Sequence, residues 1–252
     1  ARKIKTMYWP QGEGDLRMQN PYWIAYRNLR TNNKKRYMLS ASLSYDITDW
    51  LNVSGRVRVD NSNTKYEQKL YASSNTTLTE GSTQGFYAIA KPDESQVYAD
   101  VLANINKRFG DYSLVVNVGA SIVDNKYDEL SYRGPIRANG IPNVFNVFDL
   151  DNTQKKARQD EWEEQTQSIF ASAELGWKSM LYLTLTGRND WDSKLAFSNQ
   201  SSYFYPSVGL SAVLTEMFAL PKIISYAKVR GSYTVVASSF DRYLTNPGYE
   251  YN

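Results

Sequence analysis

The chain contains neither cysteine nor histidine. Their absence removes thiolate zinc sites, disulfide scaffolds, cysteine nucleophiles and every triad or HExxH arrangement built around an imidazole. What remains for chemistry is carboxylates, arginines, lysines and a heavy load of rings, with 20 tyrosines and six tryptophans. The acidic run Asp160, Glu161, Glu163 and Glu164 would support glycosidase chemistry only if two members faced each other across a cleft at a set separation. As a run it reads as a solvated loop. Asp149 to Asp160, DLDNTQKKARQD, opens like a calcium loop, but Gln154 stands where the sharp turn needs glycine and an aspartate replaces the terminal glutamate. No P-loop and no dinucleotide fingerprint is present. A scattered net charge of +3 makes no case for nucleic acid. The expectation is a protein that is not an enzyme, uses no cofactor and works by stacking and charge-assisted hydrogen bonds.

The elements that would position such residues are strands. In Tyr37 to Val59, Tyr37, Leu39, Ala41, Leu43 and Tyr45 alternate with Met38, Ser40, Ser42 and Ser44. After a four-residue turn, Leu51, Val53, Val57 and Val59 alternate with Asn52, Ser54, Arg56 and Arg58. A period of two puts successive side chains on opposite faces of a sheet. One face therefore meets water and the other something apolar. The pattern returns in Gln96–Arg108 with Tyr112–Val123, in Gln167–Trp177 with Met180–Asp190, and in Tyr203–Leu214 with Ser225–Val236. Residues 1 to 36 read as irregular, with a weak strand over Tyr22 to Leu29.

These eight strands approach the ~9–11 residues that a tilted strand needs to cross a bilayer, where globular strands are usually ~5–6. Tight turns alternate with long loops at about 60–95, 124–166 and 191–202. That alternation marks outer-membrane barrels, which have short periplasmic turns and long extracellular loops. A mean hydropathy of -0.55 is compatible with this, because only every second strand residue faces lipid. Both ends of the chain then fall outside, so it reads as an arc with two unpaired edges that cannot stand alone in lipid. The predicted fold is all-β, an antiparallel up-and-down transmembrane β-barrel represented by about eight long strands of a larger one.

Four stretches carry a family resemblance: NPYW at Asn20–Trp23, LSYDITDWLNVSGRVRVD at Leu43–Asp60, YFYPSVGLSAVL at Tyr203–Leu214 and AKVRGSYTVV at Ala227–Val236. The chain resembles the barrel of SusC/RagA-type TonB-dependent transporters of Bacteroidetes outer membranes. That resemblance implies a plug inside a barrel of about 22 strands, TonB acting through parts of the protein outside this chain, and a SusD-like lipoprotein lid. It also implies import of a glycan or oligopeptide.

In such a barrel, strand parity turns Arg56, Arg58, Tyr98, Asp100, Glu174, Arg188 and Asp190 to the lumen. They are candidates for substrate contact, plug anchoring or a solvated wall. Tyr66, Tyr71, Phe86, Tyr87, Tyr127, Tyr132, Phe145, Phe148 and Trp162 fall in the long loops, where rings stack on sugars, hold a lid or pack the loops themselves. Lys34, Lys35 and Arg36 stand near an outer strand end, within reach of membrane-lipid phosphates. Two other readings stay open: a secreted soluble β-sandwich with aromatic carbohydrate-binding loops, and a passive outer-membrane pore.

Overall fold

The computed structural model describes residues 21–221, 223–238, 241, 242 and 244. Helix α1 (Pro21–Arg27) leads into eight strands: β1 (Asn28–Thr48), β2 (Leu51–Tyr71), β3 (Gly85–Phe109), β4 (Tyr112–Pro135), β5 (Lys156–Trp177), β6 (Leu181–Asp192), β7 (Tyr203–Val213) and β8 (Lys228–Thr234). A short helix, α2 (Leu214–Met217), lies between the last two. All eight strands form one antiparallel sheet in sequence order, with β1 and β8 at its edges. The eight-strand, up-and-down expectation holds. A sandwich needs a second sheet to cover its apolar face, and the strands among the described residues make one.

The chain divides into two compact units. One takes the described residues of Ala1–Tyr37 with Asn61–Ser95 and Lys126–Trp162; the other takes Met38–Asp60, Gln96–Asn125 and the described residues of Glu163–Asn252. In the second unit the alternation read from sequence becomes two chemically different faces. Leu175, Leu183 and Leu210 stand in one cross-strand row, and Ala173, Leu185 and Val208 in another. Glu174, Thr184 and Gly209 form the row between them, and Ser172, Thr186 and Ser207 the row beyond the second. The apolar side chains are uncovered: Leu43 is 78% exposed, Leu210 57% and Ile169 55%. A sheet in water does not leave such a face open.

The first unit buries its apolar residues instead. Trp23, Leu70, Phe86, Tyr87, Ile136 and Leu150 form its core. Trp23 Nε1 donates to Ser74 Oγ at 2.9 Å. The segment after β4 docks on the one after β2 through Ile136 N to the Gly85 carbonyl at 2.9 Å and Ala72 N to Asn143 Oδ1 at 2.7 Å. Gly85 permits this approach, because its φ is +119° and a Cβ there would lie 2.7 Å from the Leu70 carbonyl.

Three expectations change. Of Tyr22–Leu29 only Asn28 and Leu29 are strand, at the start of β1, and the rest is helix: Pro21 opens α1, where its missing N–H costs nothing, and Trp23 anchors the helix. The opening hairpin turns through only Asp49 and Trp50. The long irregular segments shrink to 72–84, 136–155 and 193–202, because β2, β3, β4 and β5 are 21, 25, 24 and 22 residues long. Their added lengths, such as DNSNTKYEQKLY in β2, are mostly polar, with a few core residues such as Leu70, Phe86 and Tyr87 that fall in no alternating pattern. Backbone ladders hold them together without the apolar alternation that reveals a strand in sequence.

Candidate functional site

Within the second unit, β2 and β3 bring four of the predicted residues together. Arg56 Nε donates to Asp100 Oδ2 at 2.8 Å, and the Tyr98 ring lies beneath both guanidiniums, 5.4 Å from Arg56 and 5.6 Å from Arg58. Arg58 donates to the Gln96 amide oxygen at 3.3 Å, and Gln96 in turn donates to Asn125 at 2.8 Å. Spacing of two along each strand places these groups on one face.

Arg188 and Asp190 form a second group on β6. Arg188 donates to Asp190 at 2.6 Å and to Ser168 at 2.8 Å, and its guanidinium covers Phe170, its cross-strand partner, at 5.8 Å. Glu174 stands apart, accepting from Thr184 at 3.4 Å. The Asn104 amide donates to Asn117 at 2.6 Å, and the Asn117 amide donates to the Ser172 hydroxyl at 3.2 Å.

Phe170 and its relation to Gly119 were missed in the sequence. A Cβ at Gly119 would lie 2.6 Å from the Phe170 ring, so the glycine makes the space that the ring fills. An isolated apolar residue on a polar face carries no periodic signal; only the register reveals it.

The aromatic candidates sort differently, and all but Phe145 and Phe148 lie on strands. Phe86 and Tyr87 are 4% exposed and belong to the core of the first unit. Phe145 packs on Tyr71 at 5.0 Å edge-on and on Tyr87 at 6.1 Å, with Arg27 over Tyr71 at 5.0 Å. Tyr87 donates to Glu67 at 2.7 Å, and burial together with that carboxylate raises its pKa well above the usual phenol value. Tyr127 and Trp162 stack nearly parallel, 5.3 Å apart with 9° between ring planes. Phe148 is 80% exposed beneath Arg137 at 5.4 Å. Tyr66 and Tyr132 sit half-buried on β2 and β4.

Charged candidates are largely engaged in the fold. Lys34 pairs with Glu94 at 3.3 Å. The Ser62 hydroxyl, then Lys34 and Arg36, hold the Glu94 carboxyl below its usual range against the opposing effect of burial. Lys34 is thus engaged with a carboxylate of this chain. The acidic run lies on β5, not in a loop, with Asp160 paired to Arg158 at 2.6 Å and Glu164 to Arg242 at 2.7 Å. A concavity of about 880 Å³ in the second unit is walled mainly by Ala41, Leu43, Val57, Val101, Ile122 and Trp191. Its apolar lining suits hydrocarbon, not a polar solute.

Residues 6–252 match the family described as "TonB dependent receptor-like, beta-barrel". The chain belongs to that family. It is a family of receptor barrels of outer-membrane type, not of enzymes. Solved structures agree on the fold. The "Structure of the RagAB peptide transporter" superposes with a TM-score of 0.68 at 15% identity, covering 86% of this chain and 24% of that one. The RagAB peptide importer in its 'closed-closed' state gives 0.68 at 16% identity, and in its 'open-open' state 0.65 at 16%, with the same coverage. The chain therefore spans about a quarter of the length of those proteins. No curated protein matches it.

Proposed function

We propose that this chain is part of the wall of an outer-membrane, TonB-dependent importer of oligopeptides. The observation that carries the reading is one sheet with an uncovered apolar face opposite a hydrogen-bonded polar face. Such a sheet is stable with lipid on one side and a water-filled or plugged lumen on the other. Polar groups on the inner face bind by charge and hydrogen bonding, and no bond in the substrate is made or broken. The segments 72–84, 136–155 and 193–202 face the extracellular side, and the two- and three-residue turns after β1, β3 and β5, with the longer connection between β7 and β8, face the periplasm.

A peptide is favoured over a glycan because the structural neighbours named above are peptide transporters, and because the rings suited to sugars are mostly taken up in packing. The two-component RagAB name favours a SusD-like surface lipoprotein as partner. TonB engages the parent protein through its plug. Uptake of a labelled oligopeptide by cells producing the full protein should cease when the proton-motive force is collapsed or TonB is removed. Uptake that persists under both conditions would make the protein a passive pore.

A further inference from the structure

We propose that Arg56, Arg58 and Tyr98 form a subsite for the C-terminal carboxylate of the transported peptide. This rests on the peptide-import reading above and names a part of the wall that acts in it. Arg56 has a counter-ion in Asp100, at 2.8 Å. Arg58 has no carboxylate within ion-pair distance among the described residues, and its terminal nitrogen donates to the neutral amide of Gln96 at 3.3 Å. Its Nε is enclosed and makes no hydrogen bond. The group Arg56, Arg58 and Asp100 therefore carries one surplus positive charge. The enclosed Nε is not what a ligand would reach; the surplus charge would be met at the terminal nitrogens of the two guanidiniums, where an anion makes charge-assisted hydrogen bonds.

The geometry suits a carboxylate. Two guanidiniums over one tyrosine ring, at 5.4 and 5.6 Å, are held in place before any ligand arrives. Fixing them in advance reduces the ordering cost of binding. Each presents planar paired donors that match a carboxylate in a way that an ammonium cannot. Access is through Arg56, whose side chain is 56% exposed, while Arg58 beside it is half-buried. The chain terminus is the one carboxylate that every peptide carries. A wall site that reads it holds peptides of mixed sequence without reading their side chains.

The test uses the full-length protein in detergent and two probes: a hexapeptide without acidic side chains, and the same hexapeptide amidated at its C-terminus. Titration calorimetry should show the free acid binding wild type on the order of tenfold more tightly than the amide. In R56Q/R58Q that preference should vanish, with both peptides bound at the wild-type amide level. R56K/R58K, which keeps charge but loses the fork, should retain only part of it.

Equal binding of the two probes by wild type overturns the subsite while leaving peptide import standing. So does a preference that survives in R56Q/R58Q. A variant that melts at lower temperature yet keeps the preference would assign the arginines to the protein's own lumen-filling domain, again overturning the subsite. Binding of neither probe to wild type overturns the peptide reading itself, and this inference with it.

Discussion

Side chains that look alike in the sequence do opposite work here. Tyr87 is sealed in a core, whereas Tyr127 forms half of a parallel stack with Trp162. Burial, and then the Glu129 carboxylate, push the Tyr127 phenol up to about 12. A folded-state value above the usual phenol value of ~10 means that this group's stabilising contribution is whole below pH ~10. It is lost as pH rises towards 12. Tyrosinate absorbance should therefore show a late-titrating tyrosine, and Tyr127→Phe should remove that step and flatten the loss of stability above pH 10. Unchanged titration in the variant would contradict the assignment.

Gly119→Ala should drive a methyl into the Phe170 ring and destabilise by ~1–3 kcal/mol, the usual cost of overpacking. Denaturant unfolding would measure it, and adding Phe170→Leu should recover part of the loss. At this scale the sequence was half legible. Arg56 with Arg58, and Tyr98 with Asp100, share faces because each pair is two residues apart. Which partner each meets depends on cross-strand register, which is set by pairing and not by local pattern.

The strands were legible where lipid would impose alternation and illegible where it would not. β4 shows the change within itself: Leu114, Val116, Val118, Ala120 and Ile122 alternate, and then Asp124, Lys126 and Asp128 continue the same parity. Water on both faces leaves no periodic trace, so the outer half of such a strand reads as a loop. Placing Arg at Val116, Val118 or Leu183 should cost ~2–4 kcal/mol each near mid-membrane. The yield of assembled barrel in the outer membrane measures it, and normal yield of these variants as soluble protein would refute the membrane placement.

The turn between β5 and β6 gives an opposite prediction. Lys178 and Ser179 have φ of 50° and 58°, a left-handed pair that hairpins usually fill with Asn-Gly. Ser179→Gly should relieve strain and stabilise by about 1 kcal/mol, read as a higher unfolding midpoint. Lys178 is the poorer site to change, because its N–H donates to the Asp111 carbonyl at 2.7 Å and its ammonium covers Trp177 at 5.4 Å.

The account of the whole protein rests on the two faces of the second unit meeting two different solvents. The family match makes the chain a receptor barrel, and the uncovered leucines and valines require a cover that no second sheet among the described residues supplies. Where the bilayer ends on each strand follows from where alternation ends. The same criterion separates a lipid-embedded wall from a soluble module, whose apolar face would be dry and packed against protein.

The most direct test is spin-label accessibility along β4 in the full-length protein reconstituted into bilayers, with single cysteines placed one at a time from Leu114 to Asp128. The stretch has no native cysteine. Oxygen should quench the even positions from 114 to 122 and a water-soluble nickel chelate the odd ones, with both classes reached by the chelate from Asp124 onward. Uniform chelate access to both parities between 114 and 122 would contradict the account, because it would put water where lipid is required.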